Sequence, residues 1–340
     1  MTPIIDPKNP KSDRLLMEVR GGGWGTLDWS PDDQKVVIIE YISINESYLW
    51  LVDTKSGEKK LLTPKDDKEK VSYQAAIFTK DGKGLYVITD KASEFSRLAY
   101  VDIATFKHTY LTTNIPWDVE VLDLSDDGKD LAFVTNEDGA SILHLMDTAS
   151  NKEKPLPKLP VGRVYGINWH NNNEDLGFTL ISAKATADVY SLNIRTKKIE
   201  RWTASETGGL NPNNFSETEI VRWKSFDGKT ISGFLYRPPS KFKGKRPVII
   251  NIHGGPEAQF RPGFLGRNNY YLNELGVAIL FPNIRGSSGY GKTFLTLDNS
   301  YKREDSVKDI GALLDWIATQ PYLDKDRILV TGVVMAVICL

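Results

Sequence analysis

Two short markers recur in step along the first two-thirds of this chain, and that regularity constrains the fold more than any other feature. The first is a polar or acidic turn after an apolar segment. It reads Trp29-Ser30-Pro31-Asp32-Asp33, Phe78-Thr79-Lys80-Asp81-Gly82, Leu124-Ser125-Asp126-Asp127-Gly128 and Trp169-His170-Asn171-Asn172-Asn173, with Ser30, Thr79, Ser125 and His170 spaced by 49, 46 and 45 residues. The second reads Leu51-Val52-Asp53-Thr54, Tyr100-Val101-Asp102-Ile103, Leu145-Met146-Asp147-Thr148 and Ser191-Leu192-Asn193-Ile194, with Asp53, Asp102, Asp147 and Asn193 spaced by 49, 45 and 46. The intervening segments, such as residues 36–41 and 85–89, are rich in Val, Ile, Tyr and Phe, which predicts short antiparallel strands. Four short strands in roughly 45 residues is the pattern of a propeller blade.

The spacing therefore predicts a β-propeller of about four blades over residues 1–214. Residues 6–20 read as the closing strands of an earlier repeat, so the propeller is expected to be incomplete. The turn acids fit loop caps that accept backbone N–H groups better than they fit a metal site. The chain has one cysteine, Cys339, and four histidines, His108, His144, His170 and His253, without C-x-x-C or H-E-x-x-H spacing, so no metal cluster is expected. A single cysteine excludes an intrachain disulfide and fits a reducing compartment. The formal net charge of -1 gives no electrostatic case for nucleic acid or an acidic membrane surface. Residues 1–7 lack a basic segment followed by an apolar one, and no apolar run approaches the ~20 residues of a bilayer span. The expectation is a cytoplasmic chain with neither nucleic-acid nor membrane partners.

From Phe215 onward the texture changes, and residues 215–340 read as a second domain. Residues 219–224 and 230–236 flank Phe226-Asp227-Gly228-Lys229 as a hairpin. Residues 246–252 and 276–281 are apolar runs suited to buried strands. The first leads into His253-Gly254-Gly255-Pro256 and the second into Pro282-Asn283-Ile284-Arg285-Gly286-Ser287-Ser288-Gly289-Tyr290-Gly291. Ile310, Leu313, Leu314 and Ile317 stand at helical spacing beside Asp305, Lys308, Asp309 and Asp315, and residues 327–331 form a third apolar run. Strand, loop, strand, helix, strand is the beginning of an open α/β sheet.

A propeller followed by such a sheet, with these loops in this order, resembles the prolyl oligopeptidase family of serine peptidases. The match is to its acylaminoacyl-peptidase and dipeptidyl-peptidase-like branches. The motif residues are His253, Gly254, Gly255 and Pro256, then Asn283, Arg285, Gly286, Ser287, Gly289, Tyr290 and Gly291. The segments 304–316 and 324–328 also belong to the pattern. The resemblance implies the N-terminal part of an α/β-hydrolase domain, action on short peptides, and no metal or organic cofactor. Gly254 and Gly255 become candidates for the first oxyanion donor, against the alternative that they only make a tight turn. Arg285 either ion-pairs within its loop, which is the favoured reading, or contacts a peptide. His253 is a poor triad base, because in this fold the base follows the nucleophile.

The third apolar run should feed the nucleophile elbow, G-x-S-x-G. Gly332 supplies the first glycine, but Val333 and Val334 follow it, and valine cannot attack a carbonyl. The acid and base of the triad would lie further on. With suitable codons, a gene segment for Gly-Ser-Tyr-Gly-Gly-Tyr-Met-Ser-Leu read one base out of frame yields Val333-Val334-Met335-Ala336-Val337-Ile338-Cys339-Leu340. The sequence thus leads to the expectation of a truncated, frameshifted and catalytically inactive peptidase fragment. The alternatives are a propeller-based binding module without catalysis, and an unstable product with uncovered apolar faces.

Overall fold

The computed structural model describes residues 2–63, 65, 69–255 and 257–332. Among these, β1 (Thr2–Asp6) and β2 (Asn9–Met17) pair antiparallel as a two-stranded sheet. Four four-stranded sheets follow, each with consecutive strands as neighbours. The first holds β3 (Gly23–Trp29), β4 (Lys35–Ser43), β5 (Glu46–Asp53) and β6 (Lys59–Leu61). The second holds β7 (Tyr73–Phe78), β8 (Gly84–Thr89), β9 (Arg97–Asp102) and β10 (His108–Tyr110). The third holds β11 (Asp118–Leu124), β12 (Asp130–Glu137), β13 (Ala140–Asp147) and β14 (Lys152–Lys154). The fourth holds β15 (Gly162–Trp169), β16 (Asp175–Ser182), β17 (Ala185–Asn193) and β18 (Ile199–Arg201).

The two sequence markers are the turns of these sheets. The first joins each sheet's first and second strands. Ser30 Oγ donates to Asp32 Oδ1 at 2.6 Å and accepts the Lys35 N–H at 2.9 Å. Thr79 with Asp81 and Ser125 with Asp127 repeat the arrangement at 2.6 and 2.8 Å. In the fourth sheet His170 Nδ1 accepts the Asn172 N–H instead, at 3.2 Å. The second marker joins the third and fourth strands. Asp53, Asp102, Asp147 and Asn193 each accept backbone N–H groups two to three residues on. These turn acids close loops, as their spacing predicts.

The chain packs as two compact units. One comprises the chain up to Phe133 with His144–Pro155 and Trp169–Asn173; the other comprises Val134–Leu143, Leu156–Asn168 and the chain from Glu174 onward. Within the first unit β8 is buried along its whole length. Alternate side chains of a strand point to opposite faces. Leu85 and Val87 accordingly join Val37, Leu49 and Leu51 in one apolar cluster. Tyr86 and Ile88 join Leu122, Leu124, Leu131 and Phe133 in another. Each such side chain, fully buried, contributes about 1.5–3 kcal/mol. Half-buried carboxylates tie successive sheets together: Asp28 Oδ2 accepts the Phe78 N–H at 2.7 Å, and Asp123 Oδ2 accepts the Trp169 N–H at 2.9 Å.

The second unit contains a five-stranded mixed sheet in the order β19-β20-β22-β21-β23. Its strands are β19 (Thr218–Lys224), β20 (Thr230–Tyr236), β21 (Arg246–Ile252), β22 (Ala278–Asn283) and β23 (Leu323–Gly332). The hairpin β19–β20 joins β22 antiparallel, while β21 runs parallel to both β22 and β23. Three helices accompany the sheet: α1 (Asn268–Asn273), α2 (Lys292–Leu295) and α3 (Arg303–Thr319). On α3, Ile310, Leu313 and Ile317 cover one face of the sheet together with Val248, Ile250, Ala278 and Leu280. Leu272 of α1 covers the other with Phe234, Tyr236, Ile279 and Phe281. Buried between two layers, β22 shows no polar alternation, as its continuous apolar run implies. β23 starts four residues earlier than the apolar run predicts. Its added segment, Leu323-Asp324-Lys325-Asp326, is polar because β23 is the edge strand of the sheet.

Candidate active site

Two loops leave the ends of the adjacent parallel strands β21 and β22, and the site is built on them. Gly332, the last residue of β23, pairs with Ile252, the last residue of β21. Gly332 therefore stands level with the residue that leads into His253-Gly254-Gly255. Pro256, Val333 and Val334 lie outside the described residues. Gly255 has φ +127°, and a Cβ there would come within 2.8 Å of the Glu257 nitrogen, so only glycine fits. Among the described residues no acceptor takes the N–H of Gly254 or Gly255.

His253 is buried and tied to the second loop. Its Nε2 lies 2.9 Å from Ser287 Oγ, and its Nδ1 lies 3.0 Å from the Gly254 carbonyl oxygen. Ser287 Oγ also contacts the Ile284 carbonyl at 2.6 Å. Burial lowers the His253 pKa, which favours the neutral ring. A neutral ring with both nitrogens engaged locally acts as a link between loops.

Arg285 is 2% exposed. Its Nε and Nη2 donate to Asp309 Oδ2 and Oδ1 at 2.9 and 2.8 Å, and its backbone N–H donates to Oδ2 at 2.9 Å. The other side of the guanidinium reaches Asp227 at 3.2 and 3.3 Å, with the Phe226 ring centroid 4.6 Å away. Against the burial that would raise it, hydrogen bonds from Lys229 and Arg285 hold the Asp227 carboxyl well below the usual range. This network fastens the β22 loop to α3 and to the hairpin turn.

Asn283 is fully buried and clamps the first loop. Its side chain exchanges hydrogen bonds with the Phe260 backbone at 2.8 and 3.0 Å and donates to Tyr290 OH at 2.9 Å. Tyr290 OH lies 2.9 Å from Ser232 Oγ, which contacts Asp138 Oδ1 at the same distance. Asp138 also pairs with Arg222. Burial pushes the Tyr290 hydroxyl up to about 12, so it stays protonated. Gly289 and Gly291 hold positive φ angles of 86° and 89° on either side of Tyr290. Gly286 faces Asp298, which is fully buried with neither carboxylate oxygen hydrogen-bonded among the described residues. Burial raises the Asp298 pKa, and Arg303, 3.9 Å away, opposes that rise.

The structure thus gathers the motif residues His253, Asn283, Arg285, Ser287 and Tyr290 into one two-loop framework. Asp138 and Arg222 carry no signal in the sequence, because they meet 84 residues apart, and Asp298 carries none because only the fold buries it. No cluster of three or more His, Cys, Asp or Glu suited to a metal occurs among the described residues. No helix among them is long and apolar enough to cross a membrane.

Four-stranded sheets precede a mixed α/β sheet with glycine loops at the ends of its parallel strands, and solved structures with this fold include prolyl oligopeptidases and related hydrolases. The Prolyl oligopeptidase family model matches residues 263–333. It is 23% identical over 306 residues to a prolyl endopeptidase of Elizabethkingia meningoseptica, covering 88% of this chain and 42% of that protein. It is 23% identical over 320 residues to dipeptidyl-peptidase 5 of Porphyromonas gingivalis, covering 90% of this chain and 46% of that one. The chain spans less than half the length of these two relatives. Among solved structures it resembles a puromycin hydrolase, with TM-score 0.81, 20% identity, and coverage of 95% of this chain and 50% of that one. It also resembles prolyl oligopeptidase B of Galerina marginata, with TM-score 0.81, 15% identity, and coverage of 95% and 47%.

Proposed function

We propose that this chain is a fragment of a serine-type peptidase whose intact form cleaves short peptides, and that the fragment itself has no peptidase activity. In this reading the four four-stranded sheets are propeller blades within residues 1–214. Residues 215–340 are the N-terminal part of the α/β-hydrolase domain. The related peptidases support the substrate class.

The observation that carries the proposal is the pairing of Ile252 with Gly332. In this reading the elbow follows Gly332, and Gly254 and Gly255 are the candidate first oxyanion donors. An oxyanion hole needs such donors about 3 Å from the developing charge. The elbow needs a serine two residues after Gly332, and Val334 stands there. Without a nucleophile there is no acyl-enzyme for the oxyanion donors to stabilise.

Incubation of the purified chain with chromogenic peptidyl and acyl-amino-acid substrates tests this reading. Release of chromophore at the blank rate is expected. Turnover that follows the chain through purification would overturn it.

A further inference from the structure

The tip of the β12–β13 hairpin packs within the second unit and reaches both loops of the candidate site. Asp138 and Gly139 form its two-residue turn, with positive φ angles of 49° and 90°, as a tight Asp-Gly hairpin turn requires. Asn136 Oδ1 accepts the Gly139 N–H at 2.9 Å and fixes the turn from within. A Cβ on Gly139 would lie 2.5 Å from the Phe234 ring, so the tip rests directly on β20. The tip meets the first loop by contact. Asn136 Nδ2 donates to Gln259 Oε1 at 2.7 Å, and Arg261 Nη2 donates to Ser141 Oγ at 2.9 Å.

The tip meets the second loop through Asp138, and there the protons have a direction. A carboxylate only accepts, so the Ser232 hydroxyl donates to Asp138 Oδ1 at 2.9 Å. With its one proton committed, Ser232 Oγ accepts in its other contact, and the Tyr290 hydroxyl donates to it at 2.9 Å. Tyr290 OH in turn accepts from Asn283 Nδ2 at 2.9 Å. The same amide donates to the Phe260 carbonyl at 3.0 Å, and its Oδ1 takes the Phe260 N–H at 2.8 Å. A relay thus runs from the Phe260 N–H through Asn283, Tyr290 and Ser232, with each donor pointing toward Asp138. Such hydrogen bonds polarise one another. Ser232 and Asn283 are buried, so a broken link strands a polar group away from water. Arg222 also pairs with Asp138, but its side chain is 54% exposed, and water weakens that pair.

We infer that the β12–β13 tip is a strap across the site, with Asp138 the anchor of a directed relay that makes the loops after β21 and β22 tighten and loosen together. Asp138 acts on both loops through Ser232 and Tyr290, as a positioning residue. The inference does not rest on the elbow or on catalysis.

Amide exchange of the full chain, followed by NMR, tests it at two N–H groups. One is Phe260, held by Asn283 in the first loop. The other is Ser288 in the second, which donates to the Ala258 carbonyl at 3.0 Å. Asp138→Ala should speed exchange at both by about tenfold, the loss of one hydrogen bond to a charged group. Leu280, within β22, should be unaffected. Asp138→Asn keeps an acceptor for Ser232 and tolerates the left-handed turn, so it should restore most of the protection. Tyr290→Phe removes the middle hydroxyl and should speed both amides by itself. In that background Asp138→Ala should change Phe260 by less than about twofold. Loosening of the hairpin through Asn136 and Arg261 would instead act equally in both backgrounds. Tyr290→Phe preserves shape, so it keeps the test decisive if Asp138→Ala fails to fold. Unchanged exchange at Phe260 in Asp138→Ala or Tyr290→Phe, equal acceleration at Leu280, or the same factor in both backgrounds would overturn the inference.

Discussion

Arg285 and Asp309 form a buried, bidentate ion pair that joins the loop after β22 to the middle of α3. The same carboxylate accepts the Arg285 backbone N–H and a 2.5 Å hydrogen bond from Ser225 Oγ. One aspartate thereby fixes the loop's main chain and side chain together. The arginine has a structural task, and a peptide would have to displace it to reach it.

Removing one partner strands the other charge in a buried site. Arg285→Ala or Asp309→Ala should each cost about 3–5 kcal/mol of stability. Arg285→Lys should recover only part of this, because an ammonium cannot grip both carboxylate oxygens and reach Asp227 as well. Urea denaturation measures all three, and a loss below 1 kcal/mol in Asp309→Ala, on the scale of a ~0–1 kcal/mol surface pair, would contradict the account.

Acid should loosen the same network through Asp227. Its folded pKa lies below the unfolded value of about 3.9. Its contribution is therefore present above that unfolded value and is lost as pH falls through the folded one. Melting temperature should fall more steeply below about pH 4 in the parent than in Asp227→Asn. Parallel curves for the two proteins would rule this out.

Gly286 has φ +91°, and a Cβ there would lie 2.4 Å from Asp298 Oδ1. Gly286→Ala should cost about 1–3 kcal/mol from backbone strain and overlap. In an Asp298→Ala background the overlap is gone, so the same change should cost less. Equal costs in both backgrounds would show that the two positions do not meet.

Asp298 is a buried carboxyl with a raised pKa and without a hydrogen-bond donor among the described residues. Its charged form is the unfavourable one. Asp298→Asn should therefore raise stability at pH 8 by about 1–2 kcal/mol, the lower part of the range for neutral replacement of buried charges. The advantage should shrink as pH falls through the raised folded pKa and the parent becomes neutral too. A destabilised Asp298→Asn at pH 8 would mean that Arg303 matters more than burial.

Much of the fold was legible because its signals are local. Ser30, Thr79 and Ser125 cap their own turns within five residues, so their spacing transmits directly into sheets. The hairpin flanking Asp227-Gly228 and the helix carrying Ile310, Leu313 and Ile317 follow from turn chemistry and periodicity in the same way. The short α1 was not legible, since Asn268–Asn273 is polar with one buried leucine, and no apolar stripe announces it.

The site divides along the same line. The glycines and the order of the loops could be read from sequence, but the partners of His253, Arg285 and Asn283 could not. Ser287, Asp309 and Phe260 lie 34, 24 and 23 residues away and meet these side chains only through the parallel register of the sheet. Asp28 and Asp123 escaped notice for the same reason, because their acceptors serve neighbouring sheets 50 and 46 residues on.

The proposed function is that of a framework similar to the prolyl oligopeptidase family, with Val334 at the position where the elbow would carry serine. Reaction of the purified chain with a fluorophosphonate probe, read by intact-mass spectrometry, tests it most directly, because the probe reports an activated serine whatever the substrate preference. The account predicts an unchanged mass after prolonged incubation. Stoichiometric addition of the probe to one serine, abolished by unfolding the chain, would contradict it.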